Sequence, residues 1–251
     1  MDTTNAGTSD LERDLGLRLL GETFYLQALG QLSPAAVEQA SPLPGWSRKH
    51  LVLHMLFNGE AMLRLIDWAK TGVENPMYPS REWRDAQIEE AHSHTSARDA
   101  IAMSDEIVEE ITEELATMTE EAWNRPLRTH RGPITAEWIP WMRGREAWVH
   151  SLDLGIGMSA LDFPTEVLDR MLTDIAGEWD RRDETVAYDI TLTDRPEVGV
   201  WHLRTGSADV DTPATDTVEG PAGAVFAHLS GRGWPGSLDE PSGLPTPPAW
   251  L

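Results

Sequence analysis

The sequence MRGREAWVHSLDLG, residues 142–155, places charged groups among apolar ones at helical spacing. Glu146 and His150 are four residues apart, with Trp148 and Val149 between them. Residues four apart lie on one helical face, one turn above the other. The stretch therefore predicts a largely apolar helix that directs a carboxylate and an imidazole towards the same side.

Carboxylate oxygens and neutral imidazole nitrogens are standard ligands for zinc and similar divalent ions. Two ligands come from one helix here, so a third has to come from another element. His54, on the second predicted long helix, is the candidate. A set of two histidines and one carboxylate leaves coordination positions open, which suits catalysis better than a closed structural site. The spacing thus predicts a metal site formed by His54, Glu146 and His150.

Other pairings of histidine remain open at this point. His50 lies four residues before His54, so HLVLH (residues 50–54) is itself a possible ligand pair. The HSH stretch, residues 92–94, is another. Each histidine alone is equally explained by an ordinary hydrogen bond in the core or at the surface.

Neighbouring charges offer structural explanations for the same residues. Arg143 and Arg145 are close enough in sequence for either to form a salt bridge with Glu146. Asp153, one turn past His150, has the spacing to orient that imidazole by accepting a hydrogen bond. A plain surface position explains Asp153 equally well, so spacing alone does not separate a metal site from an ion-paired helix.

The bulk composition predicts a folded protein outside the membrane. The chain has 251 residues, of which 40% are hydrophobic and 11 are tryptophan, enough for one large or two modest domains. No apolar run approaches the roughly 20 residues that span a bilayer. The first 16 residues, MDTTNAGTSDLERDLG, are too acidic and polar for a secretory signal peptide. We therefore expect a cytoplasmic location.

Charge and cysteine content exclude several functions. The formal net charge is −22, which makes nucleic acids and anionic membrane surfaces poor partners. The chain has no cysteine, so no thiol of its own can serve as nucleophile or metal ligand. Any thiol chemistry at this protein needs a thiol supplied from outside.

The first 158 residues have the pattern of a helical bundle. Long helices are predicted over residues 9–32, 48–71, 81–118 (with a break near 93–98) and 140–154. Residues 41–46 and 124–133 are predicted loops because proline, glycine and polar residues dominate them. Four long helices joined by short connections indicate a four-helix bundle.

Individual residues set the expected helix ends and buried faces. Ser9 and Glu12 have capping-box spacing, Ser47 is a predicted cap, and Gly72 stands where a terminal glycine belongs. Two apolar stripes are predicted to face the core, one on the first helix and one on the third, and they comprise Leu11, Leu15, Leu19, Ile107, Ile111 and Leu115.

The pattern changes after residue 158. An amphipathic helix is predicted over residues 164–182, strands over 185–193, 198–205 and 216–220, and a short helix over 223–230. The predicted class is α+β and mainly α. An N-terminal four-helix bundle, residues 1–158, precedes a small C-terminal α+β domain, residues 159–251.

The sequence resembles the mycothiol-dependent maleylpyruvate isomerases, a family within the DinB-like superfamily of metal-binding four-helix bundles. The matching motifs are GWSRKHLVLHMLFN (45–58), WAKTGVENPMYPS followed by Arg84 (68–84), WMRGREAWVHSLDLG (141–155), LSGRG (229–233) and PPAWL (247–251). They cover nearly the whole chain, and the similarity is weakest across 93–135 and 156–215. The histidine and Glu-x-x-x-His pattern is common to the superfamily, whereas the WAKTG…PMY loop and the GRG motif are more specific to the isomerases.

This resemblance implies roles for five residues. His54, Glu146 and His150 would be the ligands of a divalent metal, with zinc expected, and His50 would pack or cap nearby instead. Arg84 and Arg232 would be active-site arginines, although without the resemblance both are explained as surface residues. The C-terminal domain would then contribute to the active site.

The resemblance also implies a reaction, the conversion of maleylpyruvate into fumarylpyruvate in gentisate catabolism. A zinc-bound thiolate of mycothiol would add to the conjugated alkene, the bond would rotate as a single bond, and the thiolate would leave. The expected partners are therefore mycothiol and a small dicarboxylate substrate. Two alternatives remain: a mycothiol S-transferase that conjugates electrophiles, and a non-catalytic metal- or ligand-binding module.

Overall fold

The computed structural model describes residues 4–250, with side chains described from residue 10 onwards. The chain divides into two compact units, Met1–Gly157 and Met158–Leu251. Helices dominate, and the strands of the described part form one two-stranded and one three-stranded sheet, which confirms the predicted α+β, mainly α class. None of the helices between residues 4 and 250 is both long enough and apolar enough to cross a bilayer.

The first unit is a bundle of long helices. Its elements are α1 (Thr4–Leu29), α2 (Pro34–Val37), α3 (Arg48–Thr71), α4 (Arg81–His94), α5 (Ala97–Ala116), α6 (Glu120–Trp123), β1 (Pro126–Thr129), β2 (Gly132–Thr135) and α7 (Ile139–Asp153). Helix α1 packs on α7 and α5, and α3 packs on α5 and α7. These four helices enclose the core, and the predicted break in the third helical region is the turn between α4 and α5.

The ends of α3 follow the predicted signals. The Ser47 side chain accepts a hydrogen bond from the backbone N–H of His50, and Nδ1 of His50 accepts one from the backbone N–H of Ser47. This reciprocal pair is a capping box in which an imidazole takes the usual place of Glu or Gln. Gly72 ends the helix with φ of 74°, a left-handed conformation that favours glycine. His50 is therefore a capping residue.

The predicted loop over residues 124–133 is wrong. β1 and β2 pair antiparallel, with Leu127 opposite Ile134 and Thr129 opposite Gly132, so the segment is a β-hairpin. Proline and charged residues hide the strand pattern, because Leu127 is the one buried side chain within β1. The hairpin leads directly into the turn that precedes α7.

The buried face of α1 also differs from the prediction. Leu19 is 50% exposed, so the expected leucine stripe does not face the core. The face that does is rich in charge and comprises Asp14, Leu17, Arg18, Glu22, Tyr25 and Ala28. The prediction counted apolar residues alone, whereas this helix buries charges that find partners on other helices. The helix also begins at Thr4, before the proposed cap at Ser9, whose side chain lies outside the described residues.

Helices α1 and α7 lie so close together that glycine is needed where they touch. A Cβ atom on Gly144 would lie 2.8 Å from the Cα of Arg18, and one on Gly21 would lie 2.7 Å from the Trp148 ring. The indole N–H of Trp148 donates a hydrogen bond to the Leu17 carbonyl at 3.0 Å. Glycine at both contact positions thus lets α7 lie closely against α1.

The second unit is a small α+β assembly. It contains α8 (Thr165–Arg181), β3 (Val186–Leu192), β4 (Val200–Thr205), β5 (Asp216–Gly220) and α9 (Ala222–Leu229). The strand order is β4-β3-β5, with β3 antiparallel to β4 and parallel to β5. Trp250 is buried near the chain's end, against the Phe226 ring, and its indole N–H donates to Asp174. The predicted strands and short helix are confirmed.

Replacing Gly144 by alanine is expected to destabilise the protein by about 1–3 kcal/mol, because the new methyl group meets the α1 backbone rather than a movable side chain. Gly16→Ala is the matched control, since a Cβ at this exposed α1 position has no neighbour within 4 Å. It should stabilise the helix by about 0.5–1 kcal/mol. Urea unfolding of both variants measures the difference, and equal stabilities would contradict the close approach.

Candidate metal centre

Two helices of the first unit bring the three predicted ligands together. Helix α3 carries His54, and the packed α7 carries Glu146 and His150 one turn apart. One nitrogen or oxygen from each side chain lies within 4.8 Å of the other two. The group is mostly buried, with 15% of the Glu146 side chain accessible. The side chains therefore converge, as sharing one ion requires.

Two of the distances within this group fit a shared divalent metal. Nε2 of His54 and Nε2 of His150 each lie 3.3 Å from Oε2 of Glu146. Two ligands bound to a tetrahedral zinc at about 2.0–2.1 Å are themselves about 3.4 Å apart. Nε2 of His54 thus faces the ligand group, whereas its Nδ1 is buried with no hydrogen-bond partner among the described groups. The donor set and its spacing suit zinc, and the role of these residues as ligands stays a prediction.

Asp153 holds the far side of the His150 ring. Its Oδ2 lies 2.9 Å from Nδ1 of His150, so Nδ1–H donates to the buried carboxylate. In the neutral ring, this hydrogen bond favours the tautomer in which Nε2 keeps its lone pair. Of the two readings left open by the sequence, the orienting role is the one that the contact supports.

The protonation states also favour a cation. Burial lowers the pKa of His54, which keeps its imidazole neutral with a lone pair available. Burial alone would raise the pKa of the Glu146 carboxyl, but hydrogen bonds from His150 and His54 outweigh it and hold the pKa well below its usual value. Burial alone would lower the pKa of His150, yet hydrogen bonds to Asp153 and Glu146 raise it. The ionised Glu146 carboxylate therefore attracts positive charge beside the two rings, either as a proton on His150 or as a metal ion.

The competing histidine pairs do not converge in this way. The rings of His50 and His92 stack in parallel with their centroids 3.7 Å apart. Nδ1 of His50 is occupied by the α3 cap, and Nε2 of His92 faces the Ser47 hydroxyl at 3.2 Å. His94 is exposed at the end of α4. Among the described side chains, the group formed by His54, Glu146 and His150 is the one with metal-ligand geometry.

The neighbouring arginines take different partners. Arg143 donates to Glu22 of α1 at 2.8 Å, and in the contacts that the structure describes Arg145, not Arg143, is the arginine paired with Glu146. Arg145 lies 3.5 Å from Oε1 of Glu146, the oxygen that the histidines do not face. The sequence offered no sign of the Glu22 contact because the two residues are 121 positions apart.

Arg84 lies at the start of α4, next to the loop that ends in Tyr78. Its guanidinium donates two hydrogen bonds to Asp85 and lies over the Tyr78 ring at 5.7 Å. Burial is the main cause of the lowered His54 pKa, and the positive charge of Arg84 adds to it. Arg84 is therefore within electrostatic range of the metal group. The Tyr78 ring also lies 6.5 Å from that of His130 in the hairpin, a contact the sequence did not predict.

Arg232 lies in the second unit, just after α9. The flanking Gly231 and Gly233 have φ values of 79° and 76°, left-handed conformations that favour glycine on both sides. The Arg232 backbone N–H donates to the Ala227 carbonyl at 2.8 Å, and its Nη1 donates to the Ser230 carbonyl at 2.9 Å. The GRG motif is thus a tight turn that fixes the arginine backbone, and the catalytic role of Arg232 stays a prediction.

Comparison with known proteins identifies the family. The family model described as the mycothiol maleylpyruvate isomerase N-terminal domain matches residues 21–155, more than half of the chain. The chain belongs to this family. The matched region of this family member contains His54, Arg84, Glu146 and His150, whereas Arg232 lies beyond it.

Solved structures of the family extend the likeness to both units. The chain is similar to the crystal structure of the mycothiol-dependent maleylpyruvate isomerase, with 27% identity and a TM-score of 0.83. The match covers 96% of this chain and 97% of that one. A histidine-to-alanine mutant of that isomerase matches with the same identity and coverage and a TM-score of 0.82. No curated protein matches the chain at a significant level.

Replacing Asp153 by asparagine is expected to weaken zinc binding by about 10- to 100-fold, because the neutral amide no longer fixes and polarises the His150 ring. Ser151→Ala is the control on the same helix, since its hydroxyl donates to the Trp148 carbonyl one turn back. Competition with a chromophoric chelator measures both affinities. Equal losses in the two variants would contradict the orienting role of Asp153.

Proposed function

We propose that this chain is a metal-dependent cis–trans isomerase that uses mycothiol to convert maleylpyruvate into fumarylpyruvate. The observation that carries the proposal is the isomerase fold along 96% of the chain, combined with a convergent two-histidine, one-carboxylate group in the family region. A place in gentisate catabolism and a cytoplasmic location stay predictions. Zinc is the expected metal because the donor set suits it.

The residues around the ligand group prepare it for an ion with an open coordination position. A bound zinc ion would supply Lewis-acid activation of an incoming thiol, whose own pKa of about 8.5 leaves it mostly protonated near neutrality. The hydrogen bond to Asp153 would leave Nε2 of a neutral His150 ring available to the ion, and burial favours the neutral form of the His54 ring. Glu146 brings the negative charge that offsets part of the ion's charge.

The absence of cysteine agrees with a cofactor that brings the sulfur. Rotation about a carbon–carbon double bond is too slow thermally, so an isomerase has to lower the bond order for a moment. Addition and later loss of a nucleophile does this without consuming it. The chain has no thiol of its own, so a thiol nucleophile has to come from outside.

Arg84 and Arg232 are the proposed partners of the substrate's oxygens. A guanidinium presents a planar set of donors that matches a carboxylate or enolate, and it stays charged at any physiological pH. In this proposal both arginines bind the dicarboxylate and stabilise the negative charge that develops on its enolate oxygens. The contact of Arg84 with Tyr78 and Asp85 holds its side chain in place.

The net charge of −22 does not prevent binding of a dianion. Surface carboxylates further away than about 8 Å are largely screened at physiological salt. Buried charges at contact distance are screened much less, so the arginines and the metal ion dominate in the site. Substrate affinity should therefore change little with added salt.

The deciding experiment is an assay of the purified chain with maleylpyruvate, with and without mycothiol, before and after chelation. We expect turnover that needs mycothiol without consuming it, disappears after chelation and returns with added zinc. The absorbance of the trans product measures the rate, and a thiol titration measures the cofactor. Stoichiometric loss of mycothiol would favour an S-transferase instead, and metal binding without turnover would favour a binding module.

Neutralising either proposed substrate arginine should lower kcat/KM by about 100- to 1,000-fold, because each removes donors aimed at developing charge. The variants are Arg84→Ala and Arg232→Ala, with the exposed Arg98→Ala as a control for loss of one positive charge. Steady-state kinetics with saturating mycothiol gives the comparison. If Arg232→Ala keeps near-normal turnover, its assignment is wrong.

A further inference from the structure

A buried polar network connects all four long helices of the first unit. Glu22 of α1 is 0% exposed, and its two carboxylate oxygens accept from Arg18 of α1 and Arg143 of α7. Arg18 also donates to the Thr112 hydroxyl of α5 at 3.1 Å. Nη1 of Arg143 donates to the Asn58 side-chain oxygen of α3 at 3.0 Å. The metal group involves α3 and α7 only, whereas this network also involves α1 and α5.

The network lies one turn along the bundle from the metal group. On α3, Asn58 is four residues after His54, and on α7, Arg143 is three residues before Glu146. Arg143 also donates to the carbonyl of Met55, the residue after His54, at 2.8 Å. The same two helices are therefore linked twice, once through the ligands and once through Arg143.

We propose that Arg143 is a positioning residue that sets the register of α7 against α3 and thereby the spacing of the metal ligands. The proposal rests on the metal site of the proposed function, but it does not depend on the reaction catalysed. Glu22 acts as the counter-charge that keeps the buried guanidinium in place. Asn58 and the Met55 carbonyl are the points on α3 that it binds.

The required accuracy explains why apolar packing is insufficient here. A slip of one residue moves a helix by 1.5 Å along its axis, whereas metal–ligand distances tolerate about 0.2 Å. Leucine and methionine contacts are non-directional and adapt to small shifts. A guanidinium has donors in a fixed plane, so simultaneous bonds to Glu22, the Met55 carbonyl and Asn58 allow one register only.

Stability alone is a weak reason for such a network. Burying charges costs desolvation energy, and well-packed apolar residues of similar volume are often equally or more stabilising than a buried ion pair. A role in specifying one arrangement is the better-attested use of buried polar groups. The prediction that follows is specific: weakening the network should reduce metal affinity more than a comparable loss of stability in the second unit does.

The test compares Arg143→Lys, Arg143→Met and Asn58→Leu with wild type in the full-length chain. Lysine keeps the charge, but its three N–H donors radiate from one nitrogen, which cannot occupy both the Nε position that faces Glu22 and the Nη1 position that faces α3. Arg195→Met is the control, because Arg195 is also a buried, ion-paired arginine but belongs to the second unit. The probes are zinc, by chelator competition, and cobalt(II), whose visible absorption reports the coordination geometry.

We expect Arg143→Lys and Asn58→Leu to bind zinc about 10-fold or more weakly and to change the cobalt(II) spectrum. Arg195→Met should keep the wild-type affinity and spectrum even where it unfolds at a lower urea concentration. If Arg143→Met does not fold, the lysine and Asn58 variants carry the comparison. The proposal would be overturned if Arg143→Lys and Asn58→Leu bound zinc as tightly as wild type, or more tightly, and left the cobalt(II) spectrum unchanged.

A second result would also overturn it, namely zinc affinity that falls in proportion to stability for Arg143→Lys and Arg195→Met alike. A wild-type chain that binds neither ion would overturn the metal site of the proposed function and this inference together. Metal binding without isomerase activity would affect the proposed function alone. The two proposals therefore fail in distinguishable ways.

Discussion

The first unit depends on one contact between α3 and α7, where two imidazole rings meet a single carboxylate oxygen. His54 and His150 each approach Oε2 of Glu146 at 3.3 Å in a largely buried layer of the bundle. Most other polar features of these helices can be understood from this contact. Asp153 orients one ring from behind, and the other oxygen of Glu146 faces Arg145. The spacing of four residues on α7 makes the arrangement possible because it stacks both side chains on one face.

Buried charges inside a helical bundle need partners. In this chain the counter-charge of Arg143 on α7 comes from α1, a helix that carries none of the proposed metal ligands. Helix α1 contributes Glu22 and Arg18, which face the interior where leucines would be expected. The close approach at Gly144 brings the α1 backbone near enough for Glu22 to reach Arg143. The helix farthest in sequence from α7 thus completes the electrostatics of its charged face.

What the sequence reveals depends on how far apart the interacting residues are. The pairing of Glu146 with His150 is visible because both lie within one turn of a helix, and the mainly α class follows from similar local periodicity. The ion pair between Glu22 and Arg143 joins residues 121 positions apart, and no local sequence pattern predicts it. The hairpin was missed because Leu127 alone marks β1 as buried. Arg84 and Arg232 come from family resemblance, since periodicity and spacing assign no role to an isolated arginine.

His54 and Glu146 are 92 residues apart in the chain, and this separation has a consequence for how long the folded chain persists. An ion bound by His54 and Glu146 would join distant segments as a cross-link does. The unfolded chain would bind the same ion much more weakly. Such an ion adds about 2.7 kcal/mol of stability when its free concentration is 100 times its dissociation constant. Resistance to heat and proteolysis would then follow the supply of the metal, so that scarcity of the ion would shorten the survival of the folded chain.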